Sequence, residues 1–81
     1  MKITVTIDSS NVNVLSADGA YSLICDGADK AWNEVTSLRY QRETTGLKAV
    51  NLERKIMDEN GNTVGKLTIE ADRDDISNLT A

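Results

Sequence analysis

The sequence predicts an α+β domain: a five-stranded antiparallel sheet in the order β-β-β-α-β-β, with one helix packed on one face. Three observations predict it. Residues 2–25 contain three segments that alternate apolar and polar side chains, the pattern of half-buried strands. The period then changes to that of a helix over residues 28–38. Beyond it, Asn60-Gly61 stands between two further apolar runs, the strongest short signal for a hairpin.

The first block reads as a meander over residues 2–25, with strands at 2–8, 11–16 and 20–25. A two-residue loop at Ser9-Ser10 pairs Ile7 with Val12 and Val5 with Val14. A turn at Asp18-Gly19, a favoured primed-turn pair, sets Val14 against Leu23 and Val12 against Cys25. Both turns put the apolar set on one face, and a one-residue slip would move a whole strand's set to the other.

Ala28, Ala31, Trp32, Val35 and Leu38 then fall at helical spacing, which predicts a helix over residues 28–41 with Trp32 as its main link to the sheet. Asp26 or Asp29 is placed to cap its start. The rival is an all-β chain with residues 34–43 as a strand, since that stretch is rich in β-formers. It lacks clean alternation, because Val35 would oppose Leu38 and Tyr40.

The hairpin occupies residues 47–71. A two-residue turn at Asn60-Gly61 pairs Leu52 with Ile69, Val50 with Ala71, Arg54 with Leu67 and Lys55 with Lys66. A three-residue loop with a bulge at Gly61 would pair Leu52 with Thr68 and mix the faces, so the apolar pattern selects the first register. Residues 72–81 form a tail with one short helical turn anchored by Ile76 and Leu79.

Eighty-one residues leave room for one domain with a modest core, and a second copy would be a natural supplement to it. The chain has no histidine and one cysteine, which removes the commonest general base and excludes structural zinc sites. Cys25 has no partner for an internal disulfide, and neither a leader-like nor a membrane-length apolar run is present, so the expectation is cytoplasmic. Asn78-Leu79-Thr80 matches a glycosylation sequon that has no meaning without a secretory route. The net charge of −4 is segregated: residues 1–36 carry −3, residues 37–57 carry +3 and residues 58–81 carry −4.

Catalytic and ligand motifs fail on inspection. Gly61 to Lys66 is one residue short of a phosphate-binding loop and lacks its hydroxyl. Asp58, Asn60 and Asn62 match alternate positions of a calcium loop, but Thr63 and Ile69 stand where glycine and glutamate are needed. Asp72, Asp74 and Asp75 read as a solvated edge or helix cap. Cys25 reads as a small core hydrophobe. No catalytic residue, metal site or cofactor is expected.

What remains is the basic middle segment. Arg39, Tyr40, Arg42 and Arg54 are the candidate partner-binding residues, because tyrosine and arginine dominate interface hot spots and an acidic surface would be steered there. The functional expectation is therefore a small non-enzymatic protein-binding module, acting as inhibitor, adaptor or assembly subunit. A phage or mobile-element inhibitor of a host defence enzyme is one form such a module takes. Its partner would be another protein or a second copy of this chain, with no membrane involved. The alternative is nucleic-acid binding through residues 39–55, which the acidic balance of the whole chain disfavours.

Overall fold

The computed structural model describes residues 1–10, 12 and 15–80. Strand β1 (Lys2–Ile7) leads to a long helix α1 (Ala17–Thr45), then β2 (Val50–Met57), β3 (Thr63–Ala71) and a short α2 (Arg73–Ser77). The sheet has three strands in the order β1-β3-β2, with β3 antiparallel to both neighbours. The chain is thus α+β with an antiparallel sheet, but the sheet is not five-stranded. Among the described residues of the expected meander, the first strand alone is a strand, as β1. The second, 11–16, falls on Asn11, Asn13 and Val14, which lie outside the described residues, while Val12, Leu15 and Ser16 are in no strand. The third, 20–25, is helical, and so are residues 34–43, which excludes the all-β alternative as well.

The helix starts eleven residues before the expected position because of a cap. Ser16 sits in extended backbone and its Oγ accepts the Gly19 N–H at 2.9 Å, satisfying one of the unpaired donors of the first turn. Asp18, an acid in that turn, favours the positive end of the helix dipole. Asp18-Gly19 therefore opens a helix instead of closing a hairpin. The other end stops at Gly46, which takes left-handed backbone (φ 71°) and donates its N–H to Gln41. Twenty-nine residues make α1 about 43 Å long, which sets the 44 Å long dimension of the molecule.

The β2–β3 pairing follows the apolar pattern: Leu52 faces Ile69, Val50 faces Ala71, Arg54 faces Leu67 and Lys55 faces Lys66. The tip reaches this register by an unexpected route. Asp58 N–H donates to Asn62 O and Gly61 N–H donates to Asp58 O, closing a three-residue loop with Gly61 at φ 83°. Asp58 Oδ1 also accepts the backbone N–H groups of Asn60 and Asn62. The pairing then shifts by one residue between Met57–Thr63 and Ile56–Gly65, and the extra residue is Val64. The bulge restores the outer register and turns Val64 into the core.

One face of the sheet carries Thr4, Thr6, Glu53, Lys55, Lys66 and Thr68 and is wet; the other packs under α1. The core has two parts. Leu38 of α1 and Ile76 of α2 close over Leu67, Ile69 and Ala71, while Leu23 packs with Ile56 and Val64. Between them the helix crosses the sheet closely at Gly27. α2 is fixed by a capping box in which Asp72 accepts the Asp75 N–H and Asp75 accepts the Asp72 N–H. Arg42 holds the segment behind it, donating to the carbonyls of Ile76, Ser77 and Leu79.

Candidate interaction surface

The helix presents its residues in three sectors. Leu23, Gly27 and Leu38 form the buried line. On one side of that line Glu34 meets Arg54 of β2 at 3.0 Å, and Asp26, Asp29, Lys30 and Asn33 share a cleft with Ile56 and Met57. That side faces β2. The opposite flank, about a quarter-turn round, therefore lies on the β1 side. It carries Ile24, Ala28 and Val35, with Tyr21 and Arg39 further round and Trp32 outermost, nearly opposite the buried line.

Val35 packs against the core from this flank, but Ile24, Ala28 and Trp32 are exposed. Ile24 is 57% exposed, and Trp32 and Tyr21 are 69% exposed. The expected stripe of Ala28, Ala31, Trp32, Val35 and Leu38 is thus real as a periodicity but is not centred on the sheet. Trp32 is not the link between helix and sheet; Gly27, Leu23 and Leu38 are. A side chain as large as indole has no space where a glycine is needed, and the helix settles with its closest approach at Gly27. The apolar side chains beside that line then stand over the edge of the sheet. At this edge Ile3 and Val5, on the helix-facing side of β1, remain 46% and 39% exposed. A cleft opens between Trp32, Val35, Thr36, Arg39, Leu79 and Thr80.

The four residues expected to bind a partner are not gathered in one place. Arg39 lines that cleft and its Nε lies 3.7 Å from Glu43, one turn on. Tyr40 is exposed on the outer face of α1. Arg42 is committed to the carbonyls behind α2, and Arg54 to Glu34 on the β2 side. The positive charges of the middle segment are largely answered within the chain. A signal for the flank was present in the sequence: Tyr21, Ile24, Ala28 and Trp32 recur at helical spacing, visible once Ser16 is read as the cap.

Other candidate groups have structural duties. Asp58 closes the hairpin loop, and its hydrogen bonds, led by that from the Asn62 side chain, hold its carboxyl below the ordinary 3.8. Asp75 accepts from the Met1 ammonium at 2.6 Å and from Asp72, which lowers it likewise. Cys25 is half-buried on α1 and is not in the core. Its side chain, hydrogen-bonded to Tyr21 one turn away, raises the Tyr21 phenol above the ordinary 10.0. Among the described residues no cluster of three or more acidic, cysteine or histidine side chains is placed to hold a metal ion, and no helix is long and apolar enough to cross a membrane.

Comparison of the chain with protein-family models, with curated proteins and with solved structures finds no match.

Proposed function

We propose that this chain is a small non-enzymatic protein-binding module, an assembly subunit, adaptor or inhibitor, whose contact surface is the β1-side flank of α1. The observation that carries the reading is the offset between the apolar stripe of the helix and its buried line. Tyr21, Ile24 and Trp32 stand in water on α1, and Ile3 and Val5 are exposed on the edge strand β1; large apolar side chains left open in this way mark an interaction surface when a partner covers them. Tryptophan and tyrosine are the side chains that contribute most when an interface desolvates them. The basic segment fits a phosphate-gripping role less well, because Arg39, Arg42 and Arg54 already hold partners in the chain.

The test is capture from an extract of the native cell on immobilised protein, with a low-salt nucleic-acid gel shift alongside. Capture that is lost in Trp32→Ala and Ile24→Asp, with circular dichroism unchanged, is the expected result. Capture indifferent to both variants, or a shift of nucleic acid abolished by Arg39→Glu, would overturn the reading.

A further inference from the structure

We infer that the occupant of this surface is a second copy of the chain, joined through β1 across a two-fold axis at Val5; the inference rests on reading the flank as protein-binding and names its partner. β1 is an edge strand, paired along one side only with β3. Asp8 donates its N–H to Val64 of β3, so by alternation the N–H and C=O groups of Ile3, Val5 and Ile7 point away from the sheet. Among the described residues nothing pairs with them. Exposed edges are ordinarily blunted by proline, a bulge or a charge in mid-strand. β1 has none of these between Lys2 and Asp8.

The sequence of this edge is self-complementary. Ile3-Thr4-Val5-Thr6-Ile7 reads identically in both directions, and its ends carry opposite charges, Lys2 and Asp8. Antiparallel pairing centred on Val5 sets Ile3 against Ile7, Thr4 against Thr6 and Lys2 against Asp8 of the other copy. In that register all three outward-pointing residues of each strand make both of their backbone hydrogen bonds. The apolar side chains of both strands stay on the helix-facing side and the threonines on the wet side. Slipping by two residues in either direction loses hydrogen bonds and separates Lys2 from Asp8. The result is a continuous six-stranded sheet with an isologous interface. Because α1 lies over β1 and β3, the two helices come side by side on one face, with Ile24 and Ala28 of each on the side toward the other.

The full chain should therefore sediment as a dimer across a series from micromolar to near-millimolar concentration. Val5→Lys should be monomeric with unchanged circular dichroism. Since Val5 also touches the helix, a second pair of variants keeps the test independent of folding. Lys2→Asp alone and Asp8→Lys alone each place like charges opposite one another twice, and each should weaken association by about tenfold. An equimolar mixture of the two variant chains restores both opposite-charge pairs and should associate as the parent does. A chain that stays monomeric throughout, or a dimer indifferent to both the Val5 and the charge variants, overturns the inference. Monomeric protein that still captures another protein through Trp32 overturns it while leaving the flank a binding surface. Monomeric protein whose capture ignores Trp32 removes both.

Discussion

Gly27 of α1 lies against Val5 of β1 so closely that a Cβ on Gly27 would stand 2.8 Å from Val5 Cγ1, with Ile56 Cδ1 at 3.4 Å. Valine is stiff about χ1 and cannot swing aside cheaply. In an exposed helix interior, exchanging glycine for alanine gains about 1 kcal/mol of propensity. Here the overpacking cost, about 1–3 kcal/mol, cancels or exceeds that gain. Gly27→Ala should fail to stabilise, and Gly27→Leu should destabilise by more than about 2 kcal/mol in urea unfolding. A Gly27→Ala variant more stable by a full kcal/mol would show that the helix does not approach the sheet at this point.

Arg42 gives a second prediction, because it serves the fold. Its guanidinium donates to the carbonyls of Ile76, Ser77 and Leu79, of which Ile76 also accepts the Leu79 N–H. Arg42→Ala should cost about 1.5–3 kcal/mol, the range for hydrogen bonds to a charged group. Amide exchange near Ile76–Leu79 should quicken with it. Arg39→Ala, which loses only a loose ion pair with Glu43, should change stability by less than about 0.5 kcal/mol.

Trp32 distinguishes the observed helix orientation from the one its apolar stripe suggests. In dilute solution its emission should lie near that of free indole and be quenched by iodide. Trp32→Ala should leave folding stability within about 0.5 kcal/mol, as surface changes do, where loss of a core tryptophan would cost about 3–5 kcal/mol. A blue-shifted, iodide-resistant tryptophan in the monomer would place it under the helix after all.

Acid should weaken the fold through its turn and cap carboxylates. Asp8, Asp58 and Asp75 have folded pKa values below the ordinary 3.8, lowered chiefly by hydrogen bonds from the Ser10 backbone, the Asn62 side chain and the Met1 ammonium respectively. As pH falls the unfolded chain takes up protons first, so their contribution is complete above the unfolded value and is lost through the folded ones. The melting temperature should hold from pH 7 to about 5 and fall below about pH 4. Asp58→Asn should lower it at neutral pH and make the acid decline shallower.

Much of the sheet was readable because period-two patterns fix a face. The apolar residues of β1 follow from alternation, and the pairs Leu52–Ile69 and Val50–Ala71 from alternation together with a hairpin centred on Asn60-Gly61. The helix was readable only where its period had room to show. Residues 20–25 are too few to separate the two periods, and Asp18-Gly19 is good chemistry for either a hairpin or a first helical turn; the Ser16 hydroxyl decides it. The orientation of α1 was hidden for another reason. The line that touches the sheet runs through a glycine and beside the half-buried Glu34, whereas the most apolar line faces outward. A pattern of hydrophobicity locates what avoids water, and cannot say whether the cover comes from the same chain. That ambiguity also kept Tyr21, Ile24 and Trp32 from standing out against the arginines as exposed candidates for contact.

The hairpin tip has a counterpart of equal length. A three-residue loop plus the bulge at Val64, or a two-residue turn at Asn60-Gly61 with no bulge, leaves every pair from Ile56–Gly65 outward unchanged. The two tips are isomers of one chain, differing only within residues 57–64. In the unbulged isomer Val64 would lie on the wet face and Gly65 would leave its place in the core empty. Burying one isopropyl group, worth about 1.5–3 kcal/mol, therefore selects between them. Polar substitution at Val64 removes that preference and lets the tip re-form about Asn60-Gly61 while the sheet beneath it keeps its register.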